Sequence, residues 1–318
     1  EAVSQLLMIS VVFSLVISIP VFLARTALIR VLFGKVSADV SSACITYLRI
    51  SAYSYPALAV YNAGAALYRS IGKTSTTMYI SVLSNLINVI GDMIGVFGLH
   101  AGVAGVAYPS LIARTFSAVV ITVLCFRSHS GICYRSRWIF QWNTGLLKRI
   151  LGIAVPNGIE SGIFQLVKVA LSSVIALFGT YQIAANGIAQ SIWSVAALIS
   201  VSMGPAFITV IGQCMGAKDI PQAEYYFKKL TKITLGLSIL WNALILAVTP
   251  WILQLYAVSD QTKHLVVWLV LIHNIANAII YPFADPLGKG LRAAGDVRFT
   301  MAISILTTIG VRLVLSIL

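Results

Sequence analysis

Charge is what this sequence has least of. Only 10% of its 318 residues are charged, while 59% are hydrophobic. Soluble domains ordinarily carry about 25% charged residues, and a chain this long could not cover a water-facing surface with so few. The composition therefore disfavours a large soluble α protein with an apolar core and places the chain in a membrane. Cysteine is also sparse, and Cys44, Cys125, Cys133 and Cys214 show no CxxC spacing. Neither a disulfide framework nor a zinc site is indicated. The four histidines are scattered, with no metal-ligand pattern. No GxSxG, HExxH or paired catalytic aspartate motif occurs, which argues against a membrane-embedded hydrolase. No separate signal peptide with a small-residue cleavage site is seen.

What is present is a series of long apolar runs. A bilayer span needs roughly 20 mostly apolar residues. Nine such segments are expected, at about 5–24, 43–67, 77–98, 101–126, 150–178, 182–213, 233–256, 264–288 and 298–318. The net charge of +13 does not point to nucleic acid. The basic residues sit between apolar stretches instead of on one domain face. One set of alternate connections holds Arg69, Lys73, Arg127, Arg135, Arg137, Lys148, Arg149, Lys218, Lys228, Lys229, Lys232, Lys289, Arg292 and Arg298; the other holds Arg25, Arg30, Lys35 and Lys263. Lys and Arg accumulate on the cytoplasmic side, so the first set is expected there and Leu318 on the outer side. The basic, aromatic stretch 127–148 reads as a cytoplasmic linker between helix bundles at 1–126 and 149–318. The abrupt apolar beginning and end suggest a piece of a longer protein.

An internal repeat supports two bundles. The sequence after segment two, Arg69 to Leu83, and that after segment eight, Arg292 to Leu306, align at a constant offset of 223 residues. Arg69/Arg292, Gly72/Gly295, Thr77/Thr300, Met78/Met301, Ile80/Ile303, Ser81/Ser304 and Leu83/Leu306 are identical. Both copies run from the membrane into a cytoplasmic turn, so the repeat is parallel. A parallel repeat implies halves related by a pseudo-two-fold axis along the membrane normal, as in transporters.

Tyr53-Ser-Tyr-Pro56 through Asn62 to Arg69-Ser-Ile-Gly72 resembles the fourth helix of the multidrug and toxic compound extrusion (MATE) family. Asn88-Val-Ile-Gly-Asp92 with Gly102-Val-Ala-Gly105 resembles its fifth and sixth. Val155-Pro156-Asn157-Gly-Ile-Glu160 with Phe164-Gln165 resembles its seventh, and Gly290-Leu-Arg292-Ala-Ala-Gly295-Asp296 the end of its tenth. The resemblance implies an all-α polytopic membrane bundle, nine transmembrane helices of a family total of twelve, with the first two and the last absent. It also implies two pseudo-two-fold-related halves and a monomer in the lipid bilayer of a bacterial plasma membrane. The implied activity is antiport: export of small lipophilic, often cationic compounds in exchange for H⁺ or Na⁺, with no cofactor.

Ionisable groups inside a bilayer cost about 2.5–3.5 kcal/mol each and usually face a cavity or a partner. Arg49, Asp92, Arg114, Glu160, Lys168 and Arg312 fall inside the segments, with Asp285 near a helix end. Segment three places Ser81, Ser84, Asn85, Asn88 and Asp92 within an arc of about 100°. Segment five places Asn157, Glu160, Ser161, Gln165, Lys168 and Ser172 within about 140°, and segment eight places His273, Asn274, Asn277, Tyr281 and Asp285 within about 120°. Such stripes either line a cavity or join helices by hydrogen bonds. A carboxyl there either titrates, because burial raises its pKa, or pairs with a base. For Glu160 the candidate bases are Lys168 and Arg114. The resemblance implies Glu160 and then Asp285 as cation-coupling groups, with Asp92 a third. Tyr55, Asn62, Asn85, Asn88, Asn157, Phe164, Gln165, Lys168, Trp193, Asn277 and Tyr281 are expected to line the substrate cavity, the aromatics meeting a cation through their ring faces. Pro56, Pro156, Pro205, Pro282 and Pro286 are expected to interrupt their spans. The alternative function is a flippase of lipid-linked oligosaccharides, whose anionic cargo would call for a cavity lined with Arg and Lys.

Overall fold

The computed structural model describes residues 2–33, 38–127, 134, 143–254, 256 and 258–317. The described residues are mostly helical, with no strand among them. Lipid offers no hydrogen-bond partners, so each apolar run satisfies its backbone internally. In chain order the helices are α1 Ala2–Phe33, α2 Ala38–Ser70, α3 Thr74–Met93, α4 Ala104–Arg127, α5 Thr144–Ala176 and α6 Thr180–Ala196. They continue as α7 Leu198–Gly216, α8 Ile220–Gln254, α9 Asp260–Ile279, α10 Tyr281–Ala293 and α11 Val297–Leu306. A π-helical turn, Ile94–Gly98, extends α3; a second, Thr307–Leu313, joins α11 to the short α12, Val314–Ile317. Most of the expected linker, 128–133 and 135–142, with Cys133, lies outside the described residues.

Eight of these helices, counted with their π extensions, are long and apolar enough to cross a bilayer. Helix α2 has the length, at 33 residues, but its serines, tyrosines, Asp39, Arg49 and Arg69 dilute its apolar character. Two expected spans are broken in the structure. Segment six divides at Ala197 into α6 and α7, and segment eight divides at Ile280 into α9 and α10. At the second break Pro282 occupies the first turn of α10, where its missing N–H costs the helix no hydrogen bond. No proline lies near the first. There the carbonyls of Val195 and Ala196 accept from α8, Trp241 Nε1 at 2.9 Å and Asn242 Nδ2 at 3.4 Å. Helices α2, α5, α7 and α10 run on through Pro56, Pro156, Pro205 and Pro286, which do not end them as expected.

The chain forms two compact units, Glu1–Leu151 and Gly152–Leu318. In the first, α2 packs on both α1 and α4, and α3 packs on α4. Ala63, Leu67, Ile80, Ile121 and Cys125 form its core. Small residues let the backbones approach: a Cβ on Gly64 would lie 2.6 Å from Ile121 Cγ1, and one on Gly91 2.6 Å from Pro109 Cβ. Gly95 meets Gly105 backbone to backbone, a built Cβ on Gly95 lying 2.8 Å from the Gly105 Cα. Gly95→Ala is therefore expected to destabilise the unit by about 1–3 kcal/mol, the usual result of overpacking. Gly98→Ala, whose Cβ would meet only Ile94 Cγ2 at 3.8 Å, should stay within about 0.5 kcal/mol. Thermal melts of the two variants in detergent check this contrast. In the second unit α6 packs on α9, α7 on α8 and α10, and α8 on α9, around Ala189, Ile192, Ile245, Val266 and Val270. Large apolar side chains such as Leu23, Phe97 and Trp251 stand outward, suited to hydrocarbon.

The repeat builds one turn twice. Gly72 and Gly295 take positive φ of 77° and 107°, which glycine adopts without strain. In the first copy Gly72 N donates to Arg69 O at 3.0 Å and Lys73 N to Tyr68 O at 2.9 Å. In the second Gly295 N donates to Arg292 O at 3.0 Å and Asp296 N to Leu291 O at 3.0 Å. These are the paired bonds of a glycine-terminated helix end. The shared Arg–Gly–Thr spacing thus encodes a helix stop and a restart, with Thr77 and Thr300 buried behind each turn.

Candidate functional site

In the first unit the polar face of α3 meets α2 and α4. Tyr61 Oη lies 2.7 Å from Ser81 Oγ, and Ser84 Oγ donates to the Ala113 carbonyl at 3.0 Å. Asn88 Nδ2 donates to Ser110 Oγ at 3.1 Å and makes a long contact of 3.5 Å to Asp92 Oδ1. Asp92 is half-buried, and no basic side chain among the described residues lies within salt-bridge distance of it. Behind this face is a cavity of about 150 Å³ lined by Leu58, Tyr61, Ser81, Ser84, Asn85, Arg114 and Ser117. Arg114 Nη1 donates to Ser54 Oγ at 2.6 Å. Tyr55 is half-buried and Asn62 exposed; neither lines this cavity.

In the second unit the two leading carboxyls are both engaged. Arg292 Nη2 donates to both oxygens of Glu160, at 2.6 and 2.9 Å, and its Nε donates to Thr300 Oγ1 at 3.3 Å. The pair is largely enclosed, with Arg292 and Glu160 side chains 24% and 14% exposed. Glu160 thus finds its base at the end of α10 instead of along its own helix. Lys289 Nζ donates to Asp285 Oδ2 at 2.7 Å, one turn apart on α10. Trp193 and Tyr281 do meet, edge to face, with centroids 5.8 Å apart. The Arg312 guanidinium lies 5.0 Å from the Phe164 ring centroid. Gln165 is exposed, Lys168 is half-buried, and Asn157 Oδ1 is buried without a hydrogen-bond partner among the described residues.

The stripe expected on segment eight does not act as one face, because the break at Ile280 divides it. Asn277 is 2% exposed, and its Nδ2 donates to Asn242 Oδ1 at 3.1 Å, between α9 and α8. Asn242 donates in turn to the Ser238 carbonyl at 2.9 Å, and Ser238 pairs with Ser200 at 3.1 Å. This buried ladder joins helices. Sequence reasoning did not single out Ser238 and Asn242, or Ser110, Arg114 and Ser117 as one face of α4. Their spacing of three and four residues is a legible helical period. The Glu160–Arg292 contact spans 132 residues and left no local signal.

The fold and the ionisable and amide side chains on its helix faces define a polytopic helical membrane protein. The family model described as MatE matches residues 1–94 and 156–318. The chain belongs to the MatE family: it is a transport protein, not an enzyme, and a multi-pass protein of the membrane. It is 24% identical over 310 residues to the Bacillus subtilis protein named uncharacterized transporter YisQ, covering 95% of this chain and 67% of that one. It is 25% identical to the Bacillus cereus protein named probable multidrug resistance protein NorM, covering 96% and 68%. With the B. subtilis probable multidrug resistance protein YoeA it shares 24% identity over 83% of this chain and 58% of that one. The chain thus spans between 58% and 68% of the length of these three bacterial relatives. Among solved structures, a multidrug resistance MATE family transporter of the MOP superfamily in an outward-facing conformation superposes with a TM-score of 0.89 at 20% identity, over 98% of this chain and 70% of that one. A MOP superfamily transporter from Pyrococcus furiosus, described as having a binding pocket of reverse polarity that suggests a different function, gives 0.89 at 20% identity, over 99% and 70%. These likenesses establish the fold.

Proposed function

We propose that the protein of which this chain is the described part is a multidrug efflux antiporter, exporting small lipophilic compounds, often cationic, in exchange for H⁺ or Na⁺ by alternating access. The observation that carries the reading is Asp92: a half-buried carboxyl within a membrane-crossing helix, touching the Asn88 amide and facing no base among the described residues. Such a group is suited to a proton relay, or offers Na⁺ two oxygens beside the Asn88 side-chain carbonyl. Glu160 and Asp285 are less suited to that task, since Arg292 and Lys289 already occupy their oxygens as ion-pair partners. The proposed order of coupling groups is therefore Asp92 first, with Glu160 and Asp285 as structural partners. Asn85 and Asn88 contribute to substrate binding on the same face.

The names of the relatives, probable multidrug resistance proteins from Bacillus species, support the substrate class. Exchange follows if ion and substrate compete for one site whose affinity differs between the two access states. The test is ethidium transport in proteoliposomes of the complete protein, with inward Na⁺ and H⁺ gradients imposed separately. Accumulation against a gradient with one of the two ions supports the reading. Transport that dissipates the ethidium gradient and ignores both ions contradicts it.

A further inference from the structure

The geometry points to a second, oppositely charged subsite in the first unit: Arg114 and its polar cavity receive the carboxylate of a substrate that carries both charges. This rests on the reading of Asp92 as the group that answers to cations on the same face.

Arg114 sits within α4, a membrane-crossing helix, and its guanidinium carries five N–H donors. Among the described residues it has one hydrogen-bond acceptor, Ser54 Oγ at 2.6 Å, which itself donates to Ser51 O at 2.7 Å. No carboxylate among the described residues comes within salt-bridge distance of it. The other polar groups lining the cavity, Tyr61, Ser81, Ser84, Asn85 and Ser117, are all neutral. They can donate to or accept from a ligand, but they cannot balance a charge. The cavity therefore presents one positive charge, an amide and several hydroxyls. That inventory matches a monoanion with two acceptor oxygens, and a planar guanidinium fits a carboxylate with two parallel hydrogen bonds.

Size sets the role. At about 150 Å³ the cavity is smaller than the roughly 300–1,000 Å³ of sites that enclose a drug-sized molecule. It can hold a carboxylate or a benzoate-sized group and must leave the rest of the substrate outside. Asn85 on its wall and Asp92 lie seven residues apart on α3, about 10 Å along the axis on neighbouring positions of one face. A compound with an anionic end and a cationic end can thus lie along α3, its carboxylate at Arg114 and its cation toward Asp92. The preferred cargo is then zwitterionic, with the cationic end shared by other substrates of the transporter.

The experiment is equilibrium binding to the complete protein in lipid nanodiscs, with no ion gradient. The two probes are a xanthylium dye bearing a free benzoate and its methyl ester, which share one scaffold and differ by the negative charge. The wild type is expected to bind the benzoate form about tenfold tighter, as charge-assisted bidentate pairing allows. Arg114→Gln should bring that ratio to about one while ester affinity stays within about twofold, and Arg114→Lys should keep part of it. Asn85→Leu, which fills the cavity and leaves Arg114 in place, should also lower the ratio. A ratio unchanged in Arg114→Gln, or no preference in the wild type, overturns the proposal. Parallel loss of both dyes in Arg114→Gln and Arg114→Lys also overturns it, because Arg114 would then serve the fold. Binding without a gradient reads the subsite alone. Failure of ion-driven export would refute the antiport reading with the dye preference intact, and the converse result would refute only the subsite.

Discussion

Asp92→Asn is expected to abolish ion-driven export while leaving ethidium exchange across a symmetric membrane intact. The substitution keeps the shape of the side chain and its contact with Asn88. It removes only the charge and the titratable proton. If Asp92 links the ion to the substrate, net uphill transport falls by at least about tenfold, on the scale of the factors lost when a proton-handling group is removed. Counterflow, which needs the substrate to bind and the protein to alternate but no ion to move, continues. Two transport assays on one batch of proteoliposomes separate these outcomes. A structural role for Asp92 would lower both assays together, along with the melting temperature. Asn88→Ala, which loses the Ser110 bond and the contact to Asp92, should weaken coupling less than Asp92→Asn.

Glu160→Gln is expected to act on stability first. Its carboxylate holds Arg292, and Arg292 holds Thr300, so the pair ties α5 to the turn between α10 and α11. Removing one member of a buried ion pair leaves the other charge unsatisfied, at about 3–5 kcal/mol for full burial. This pair retains some exposure, 24% and 14% for its side chains, so about 2–3 kcal/mol is the reasonable range by the same comparison. Arg292→Gln should lose a similar amount. The double variant should be more stable than the sum of the two singles implies, by at least about 1 kcal/mol of coupling. Thermal unfolding of the four proteins completes the cycle. If Glu160→Gln melts like the wild type and yet loses its response to pH or Na⁺, Glu160 is the coupling group and the order proposed here is reversed.

Much of the architecture was legible before any coordinates. The apolar runs demanded helices because lipid leaves the backbone no other solution, and most of their positions follow the expected segments. The turn built twice was legible because its parts are sequence-local: a glycine at positive φ and a buried threonine five residues on. Helix breaks were harder to read. Pro282 falls in the first turn of α10, beside the break at Ile280. Pro56, Pro156, Pro205 and Pro286 are accommodated within helices, and a sequence cannot distinguish the two cases. The break at Ala197 has no local sign at all; its free carbonyls are met by Trp241 and Asn242 from a later helix.

The same division runs through the site. The polar face of α3 could be seen from its period, and the structure brings Ser81, Ser84, Asn85 and Asn88 to α2 and α4 as a set. What each carboxyl touches depended on residues far away in sequence. Glu160 stood out by its helical position, but Arg292 lies 132 residues further on. Asp285 finds Lys289 one turn away, a contact that i,i+4 spacing could have suggested. Asn277 looked like a cavity residue and instead pairs with Asn242 in the packed interior. A stripe of amides can line a cavity or weld two helices; the choice is made by the neighbouring helix.

The bond between ion and substrate can be read without transport. Adding ethidium to the purified complete protein, in weakly buffered solution or in the presence of Na⁺, should drive the coupling cation off the site that the substrate enters. Wild-type protein is expected to release close to one H⁺ or Na⁺ per ethidium bound, and Asp92→Asn close to none, with ethidium still binding. Release of the same amount from the Asp92→Asn protein would contradict the account.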